Sequence, residues 1–511
     1  MKRLTAALLT AAALAAGVSA SAAEIKTGDE LHFDLGAKAQ EGYIQIQAKD
    51  KYDKSKGYGF SKTTGLKNIS AEGEGMKSDA VEFPFAATGS EQTFNVDVPN
   101  GLYELTVHAG DIARMSIDAE GHYAIMNITS KGVSASVEVI VEDGQLNVAP
   151  VAGKADTQYS LSGIDIKRIG DTEDRRKRVF IGGDSITSTY YPLEYDVPLN
   201  PNCQGGWGQM LENYISPELY VMNYATGGQC ARGFLKDGQF DAVESQLQEG
   251  DYFIVGYGIN DMNYSNEEEF YECMREMVRR TKAKKAFPII LTTQGRLGDF
   301  GEDGVCYKPD RWWKGTSKRL AEEEGVPYID LHDLASAYFT EIGQEATKGL
   351  YWINWSGKQD TLHSCREGAG QMARLICEEL NRQGYTDFSG IIRDYGVSDS
   401  VTLKSTGVYD GKLMDIQNLA PYVQTVTLLV NSYDENGNLI GTKTLKKDLP
   451  AFDVLEADKC ESLVLDEGAA SCRAYLMRGG KLYDWSDAPT ERNFAATYNK
   501  AQALFKDRGA K

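Results

Sequence analysis

Arg178-Val179-Phe180-Ile181-Gly182-Gly183-Asp184-Ser185-Ile186 runs from apolar, strand-forming residues straight into two glycines and then Asp-Ser. Glycine permits the sharp turn a chain makes at a strand's C-terminal edge. In open α/β sheets that edge is where ligands bind. A serine held there by rigid backbone is exposed to the cleft, as a nucleophile must be. Gly-Asp-Ser is also an ordinary turn sequence, so its meaning depends on what the rest of the chain supplies.

Around this segment, residues 174–385 alternate strand-like and helical patterns. Val179–Ile181, Tyr220–Met222, Tyr252–Val255, Pro288–Leu291 and Tyr328–Leu331 are strand-like. Asn266–Lys284, Gly315–Glu324 and Gly368–Gln383 have helical composition. Alternating β and α implies a parallel sheet covered on both faces. A nucleophilic serine needs a base, and of the five histidines only His332 and His363 fall in this region. His332 follows a strand end and is either a near-site residue or a satisfied structural histidine. His363 closes Asp360-Thr361-Leu362-His363 just before the last helical pattern. An acid three residues upstream can fold back onto the imidazole and fix its tautomer.

Two further segments end at the same sheet edge. Asn223-Tyr224-Ala225-Thr226-Gly227-Gly228-Gln229-Cys230-Ala231-Arg232 follows the second strand, and its glycines let a backbone N–H approach an oxyanion. Gly256-Tyr257-Gly258-Ile259-Asn260-Asp261 follows the third, and Asn260 offers an amide donor that does not titrate. Either alone is a plain β–α turn.

Taken in order, Gly-Asp-Ser, the second-loop Gly, Gly-x-Asn-Asp and Asp-x-x-His resemble the SGNH or GDSL hydrolase superfamily over roughly residues 178–382. The resemblance implies a flavodoxin-like α/β domain. It implies Ser185 as nucleophile, with its own N–H in the oxyanion hole beside Gly228 and Asn260, and His363 with Asp360 as base and orienter. Within the superfamily, Gly205-Gly206-Trp207-Gly208-Gln209, Asn223-Tyr224-Ala225 with Ala231-Arg232, Gly250-Asp251-Tyr252 and Pro327-Tyr328-Ile329-Asp330-Leu331 are most similar to the rhamnogalacturonan acetylesterases. Three positions depart from that pattern: Ile259 replaces a His, Cys230 a Ser, and Ser364 the Phe that commonly follows the base.

The flanks are β-rich. Phe94–Val98, Pro99-Asn100-Gly101 and Leu102–Val107 carry a hairpin signature, repeated at Val137–Val141, Asp143-Gly144 and Leu146–Val148. Residues 24–170 are therefore expected to form a β-sandwich. This region resembles the galactose-binding-like sandwich that precedes some bacterial pectin esterases. The aromatics of Gly57-Tyr58-Gly59-Phe60 would then stack on sugar rings or plug a domain interface. Residues 386–511 turn β again at Thr425–Asn431, Leu439–Leu445 and Cys472–Met477, similar to C-terminal β modules of exported polysaccharide enzymes, and 487–511 is a polar tail.

Residues 1–23 have the layout of a secretory signal peptide: Lys2-Arg3, then Ala and Leu to Val18, then Ser19-Ala20-Ser21-Ala22-Ala23. The apolar run is short for a bilayer span, which points to a cleaved leader and export from a bacterial cell. Eight cysteines without a CxxC pair give no zinc-binding spacing; Cys460 and Cys472 either pair or remain thiols. A net charge of −20 argues against nucleic acid and anionic membrane as partners.

The expected function is an exported carbohydrate O-acetylesterase on plant cell-wall polysaccharide, needing no metal or cofactor. The resemblance points to pectic rhamnogalacturonan. Acetylxylan or acetylmannan esterase, a short-chain lipase-type esterase and a non-catalytic glycan-binding protein are the alternatives. A pectic substrate is anionic, so a chain this acidic needs local cations at the cleft. Arg232, Arg296 and Arg366 are the candidates, each of which would otherwise brace a loop.

Overall fold

The computed structural model describes residues 25–70, 74–85, 92–111, 114–152, 159–190, 204–215, 218–309, 311–354 and 356–388, with separated stretches between 403 and 484. The expected leader at 1–23, the tail at 487–511 and Cys460 lie outside the described residues. Two compact units result, one mainly of residues up to Lys177 and one mainly from Arg178 onward.

In the first unit, a seven-stranded sheet runs Ser134–Val141, Gly101–Ala109, Tyr159–Gly170, Glu30–Leu35, Ile44–Ile46. Asp79–Phe83 and Lys67–Ser70 branch from Tyr159–Gly170. A five-stranded sheet runs Tyr58–Phe60, Phe94–Asp97, Gln145–Ala152, Met115–Ala119, His122–Ile128. Apolar residues alternate along these strands, so each sheet has one face to bury. Phe33 and Phe83 from the first meet Phe94 and Phe60 from the second, with ring centroids 5.0–5.8 Å apart, mostly edge-on. All four are buried.

Two expectations need correction here. The two hairpin signatures are not hairpins. Phe94–Asp97 and Gly101–Ala109 lie in opposite sheets, and so do Ser134–Val141 and Gln145–Ala152. The segments pair with each other instead, Gly101–Ala109 with Ser134–Val141 and Phe94–Asp97 with Gln145–Val148. A short turn between alternating strands serves an arch between sheets as well as a hairpin, so local pattern does not separate them. The local hairpin is Met115–Ala119 with His122–Ile128, turning through Glu120 and Gly121 at φ 56° and 78°, as a type I′ turn requires. Nor can Phe60 stack on a sugar ring: it is a fully buried core residue of a strand, and Tyr58 packs 5.4 Å from Phe33.

In the second unit, five strands form the central sheet: β1 (Lys177–Gly182), β2 (Leu219–Asn223), β3 (Tyr252–Val255), β4 (Phe287–Leu291) and β5 (Tyr328–Ile329). Their order is β2-β1-β3-β4-β5, with parallel pairing from β1 through β3 and β4 to β5. This is the flavodoxin-like order, whose ligand site lies at the C-terminal edge beside β1 and β3. Among its helices are α1 (Ala231–Lys236), α2 (Glu267–Ala283), α3 (Lys314–Glu324), α4 (Leu331–Ile342) and α5 (Arg366–Arg382). In α2, Asn266 caps the first turn by accepting the Glu269 N–H, and Phe270, Met274, Met277, Val278 and Thr281 are buried. β5 is shorter than its apolar run suggests. The Asp330 carboxylate accepts the Asp333 N–H, and Leu331 already belongs to α4. No helix among the described residues is long and apolar enough to cross a membrane.

Farther along, Gln424–Tyr433 and Leu439–Leu449 pair antiparallel. Their turn is closed by Asp434 Oδ1, which accepts the N–H groups of Asn436 and Asn438 at 2.9 and 2.8 Å. Ser471–Arg478 and Lys481–Asp484 complete a four-stranded sheet.

Candidate active site

β1 delivers Ser185. After Gly182 the chain turns through Gly183, where a Cβ would lie 2.6 Å from Thr187 Oγ1, so the turn tolerates no side chain. Thr187 and Ser188 donate their N–H groups to the Asp184 carbonyl at 3.1 and 3.0 Å. This single turn holds Ser185 at the sheet edge.

The imidazole arrives on a different element. β6 (Tyr351–Ile353) and β7 (Gln359–Ser364) form an antiparallel ribbon. His363 Nε2 lies 2.9 Å from Ser185 Oγ, and His363 Nδ1 lies 3.0 Å from Asp360 Oδ2. Asp360 Oδ1 accepts the N–H groups of Leu362 and His363 at 2.7 and 2.9 Å. Burial works to raise the Asp360 carboxyl, but those N–H groups and the imidazole outweigh it and hold it below the ordinary carboxylate range. An ionised acceptor at Nδ1 keeps the proton there and turns the Nε2 lone pair toward Ser185. Serine, histidine and aspartate thus form one line that can pull a proton from the hydroxyl.

Gly228 lies in the loop after β2 and Asn260 in the loop after β3. Gly228 has φ +81°, a conformation that suits glycine. A Cβ on its neighbour Gly227 would lie 3.8 Å from Ser185 Cβ, so this loop passes the nucleophile closely. Asn260 Nδ2 donates to the Gln229 carbonyl at 3.0 Å, which ties the two loops together and leaves the amide a second hydrogen. Beneath them Asp261 accepts the Ala231 and Gly258 N–H groups, both at 2.9 Å. Burial lifts Asp261 to about 6 and Asp184, whose Oδ1 accepts the Ile186 N–H, to about 7. These two acids brace the loops and are not offered to the cleft: both are at most 1% exposed.

Two of the three candidate arginines are engaged. Arg232 Nη1 pairs with Glu269 at 3.2–3.3 Å. Arg296 Nη2 donates to Thr361 Oγ1 at 3.0 Å. Arg366 opens α5, and its side chain lies outside the described residues. His332 stands apart from the line: it is 1% exposed, with Nδ1 3.1 Å from Asp333. Asp330, His332 and Asp333 bring ligand atoms within 4.8 Å of one another. The Lys314 ammonium pairs with both carboxylates, 3.3 Å from Asp330, so the chain itself supplies a cation there. Cys230, Cys273, Cys306 and Cys377 are free thiols, and Cys230 caps α1 by accepting the Gly233 N–H at its sulfur.

The sequence points to Arg296 but not to Gln294 two residues before it, whose amide reaches the His363 ribbon. Only its place after β4 could have drawn notice to it.

Comparison with known proteins agrees with this layout. Residues 31–167 match the β-agarase/YXIM esterase-like, galactose-binding domain-like model, and residues 182–350 match the GDSL-like lipase/acylhydrolase family. The esterase YxiM of Bacillus subtilis (strain 168) is 46% identical over 361 residues, 70% of this chain and 92% of that one. Its crystal structure superposes with a TM-score of 0.65 at 44% identity, covering 70% of this chain and 99% of that chain. The rhamnogalacturonan acetylesterase RhgT of the same organism is 28% identical over 221 residues, 40% of this chain and 90% of that one.

Proposed function

The chain belongs to the family of YxiM-type esterases, GDSL-like acylhydrolases preceded by a galactose-binding-like domain, and from that membership we propose that it is an exported O-acetylesterase of pectic rhamnogalacturonan. The observation that carries this reading is the unbroken line from Ser185 Oγ through His363 to Asp360. In the proposed mechanism Ser185 attacks the acetyl carbonyl while His363 Nε2 takes its proton. The oxyanion is received by the Ser185 and Gly228 N–H groups and the Asn260 amide. His363 returns the proton to the departing sugar hydroxyl, then activates the water that releases acetate. Asp360 stays ionised throughout and stabilises the imidazolium.

The substrate class is supported by the rhamnogalacturonan acetylesterases among the relatives. Export is supported by the leader-like composition of residues 1–23. Acetate release, measured side by side on acetylated rhamnogalacturonan, xylan and mannan, tests the proposal. The highest kcat/KM is expected on rhamnogalacturonan. Faster release from xylan or mannan would move the substrate but keep the chemistry. Activity confined to short-chain acyl esters would replace the carbohydrate reading with a lipase-type one.

A further inference from the structure

The base of the proposed triad does not sit on the five-stranded sheet that carries Ser185. It sits on the ribbon β6–β7, a separate two-stranded element. A ribbon of two strands is marginal in water by itself, yet His363 Nε2 is held 2.9 Å from Ser185 Oγ. The segment after β4 makes the connection. Gln294 Nε2 donates to the Leu362 carbonyl at 3.0 Å and to Ser364 Oγ at 2.9 Å. Tyr351 Oη donates to the Gly295 carbonyl at 2.7 Å, and Arg296 donates to Thr361. Both acceptors of Gln294 belong to the residues on either side of His363. Gln294 is 0% exposed and Ser364 3%. The Leu362 carbonyl can only accept, so the amide must present its nitrogen, and its orientation is fixed.

We propose that Gln294 is the positioning residue for His363, with Ser364 as its second acceptor; this rests on reading His363 as the base. Ser364 stands where the resemblance of this chain leads one to expect Phe. A hydroxyl there gives the buried amide a second partner that a ring would not supply. Without the amide, the Leu362 carbonyl loses its buried donor, and unpaired buried groups drive local rearrangement. The ribbon then shifts, and the Ser185–His363 bond lengthens. That bond matters when the proton moves, so the loss falls on kcat. KM changes little, because Gln294 is buried beneath the ribbon and touches no substrate.

The test compares kcat, KM and melting temperature of the full chain on a small acetyl ester for Gln294→Met, Ser364→Ala, His363→Ala and their pairwise combinations. Methionine keeps the volume of glutamine and removes the donor. Gln294→Met is expected to lower kcat by about 10–100-fold with KM within about twofold, the scale of a displacement near 1 Å. Ser364→Ala is expected to lower kcat less, and to add nothing once Gln294 is Met. In the His363→Ala background Gln294→Met is expected to have no further effect, since it acts only through the imidazole. Wild-type kcat in Gln294→Met beside an inactive His363→Ala overturns the inference and leaves the triad intact. An active His363→Ala overturns the triad itself. Equal losses in both backgrounds would show that Gln294 acts by another route, which also overturns the inference. Should Gln294→Met fail to fold, Ser364→Ala decides: unchanged kcat counts against the clamp, and a loss that vanishes in the His363→Ala background supports it.

Discussion

In the proposed mechanism Ser185, His363 and Asp360 act as one unit, so removing any one of them disables the others. Ser185→Ala and His363→Ala are each expected to abolish nearly all turnover of a simple acetyl ester, and the double variant to be no worse than either. Additive losses would break the unit apart. Asn260→Ala is expected to lower kcat by about 10²–10³ with little change in KM, the loss of one oxyanion donor. A pure KM effect would make Asn260 a substrate-binding residue instead. The pH dependence follows from the same geometry. A base must be neutral to accept the Ser185 proton, so kcat/KM is expected to fall on acidification. Asp360, held below the ordinary carboxylate range, stays ionised over that limb and adds no proton to it. A rate that rises on acidification would contradict this. Ser185, His363 and Asp360, which the structure brings together, were legible because Gly-Asp-Ser closes an apolar strand and Asp-x-x-His precedes a helical pattern. Gln294 was not: a buried amide without periodicity or motif shows its purpose only once β4 and β7 are side by side.

At the scale of elements, the parallel sheet was readable from its apolar runs, and β3 was placed to the residue. Strand–helix junctions were less so. Leu331 continues the apolar run of β5, but the Asp330 cap pulls it into α4. The sandwich shows the same limit at longer range, because which sheet receives a strand depends on partners tens of residues away. Phe60 offers a check on its core. It is fully buried among Phe83 and Phe94, so Phe60→Ala is expected to cost about 3–5 kcal/mol in that unit's unfolding. A neutral result would mean the aromatic cluster is not what joins the sheets. Asp184 makes a second prediction. Burial lifts its carboxyl to about 7, against about 3.9 in an unfolded chain. Between those values the folded state keeps a proton the unfolded state has lost, so this group's contribution to stability is full below about pH 4 and is lost as pH rises toward about 7. Asp184→Asn keeps the Oδ1 acceptor for the Ile186 N–H and removes the titration. Its melting temperature relative to wild type is therefore expected to be higher at about pH 8 than at about pH 5. The same difference at both pH values would contradict the account.

For the whole molecule, charge is the informative quantity. A net charge of −20 opposes an anionic polymer at long range, though salt screens this beyond about 8–10 Å. Recognition of a galacturonate would have to be local, and Arg232 and Arg296 each spend part of the guanidinium on Glu269 and Thr361. The planar fork has further donors for a carboxylate. Arg232→Ala is accordingly expected to slow turnover of acetylated pectic fragments more than that of a neutral acetyl ester. Equal losses on both would leave Arg232 a loop brace. The central claim, that Ser185 is a nucleophile activated by His363, is tested most directly by intact-mass measurement after exposure to diethyl p-nitrophenyl phosphate, which phosphorylates an activated serine. One diethylphosphoryl adduct on Ser185, gained in step with loss of esterase activity and absent from Ser185→Ala and His363→Ala, is the predicted result; full inhibition with the adduct on another residue, or undiminished labelling of Ser185 in His363→Ala, would contradict it.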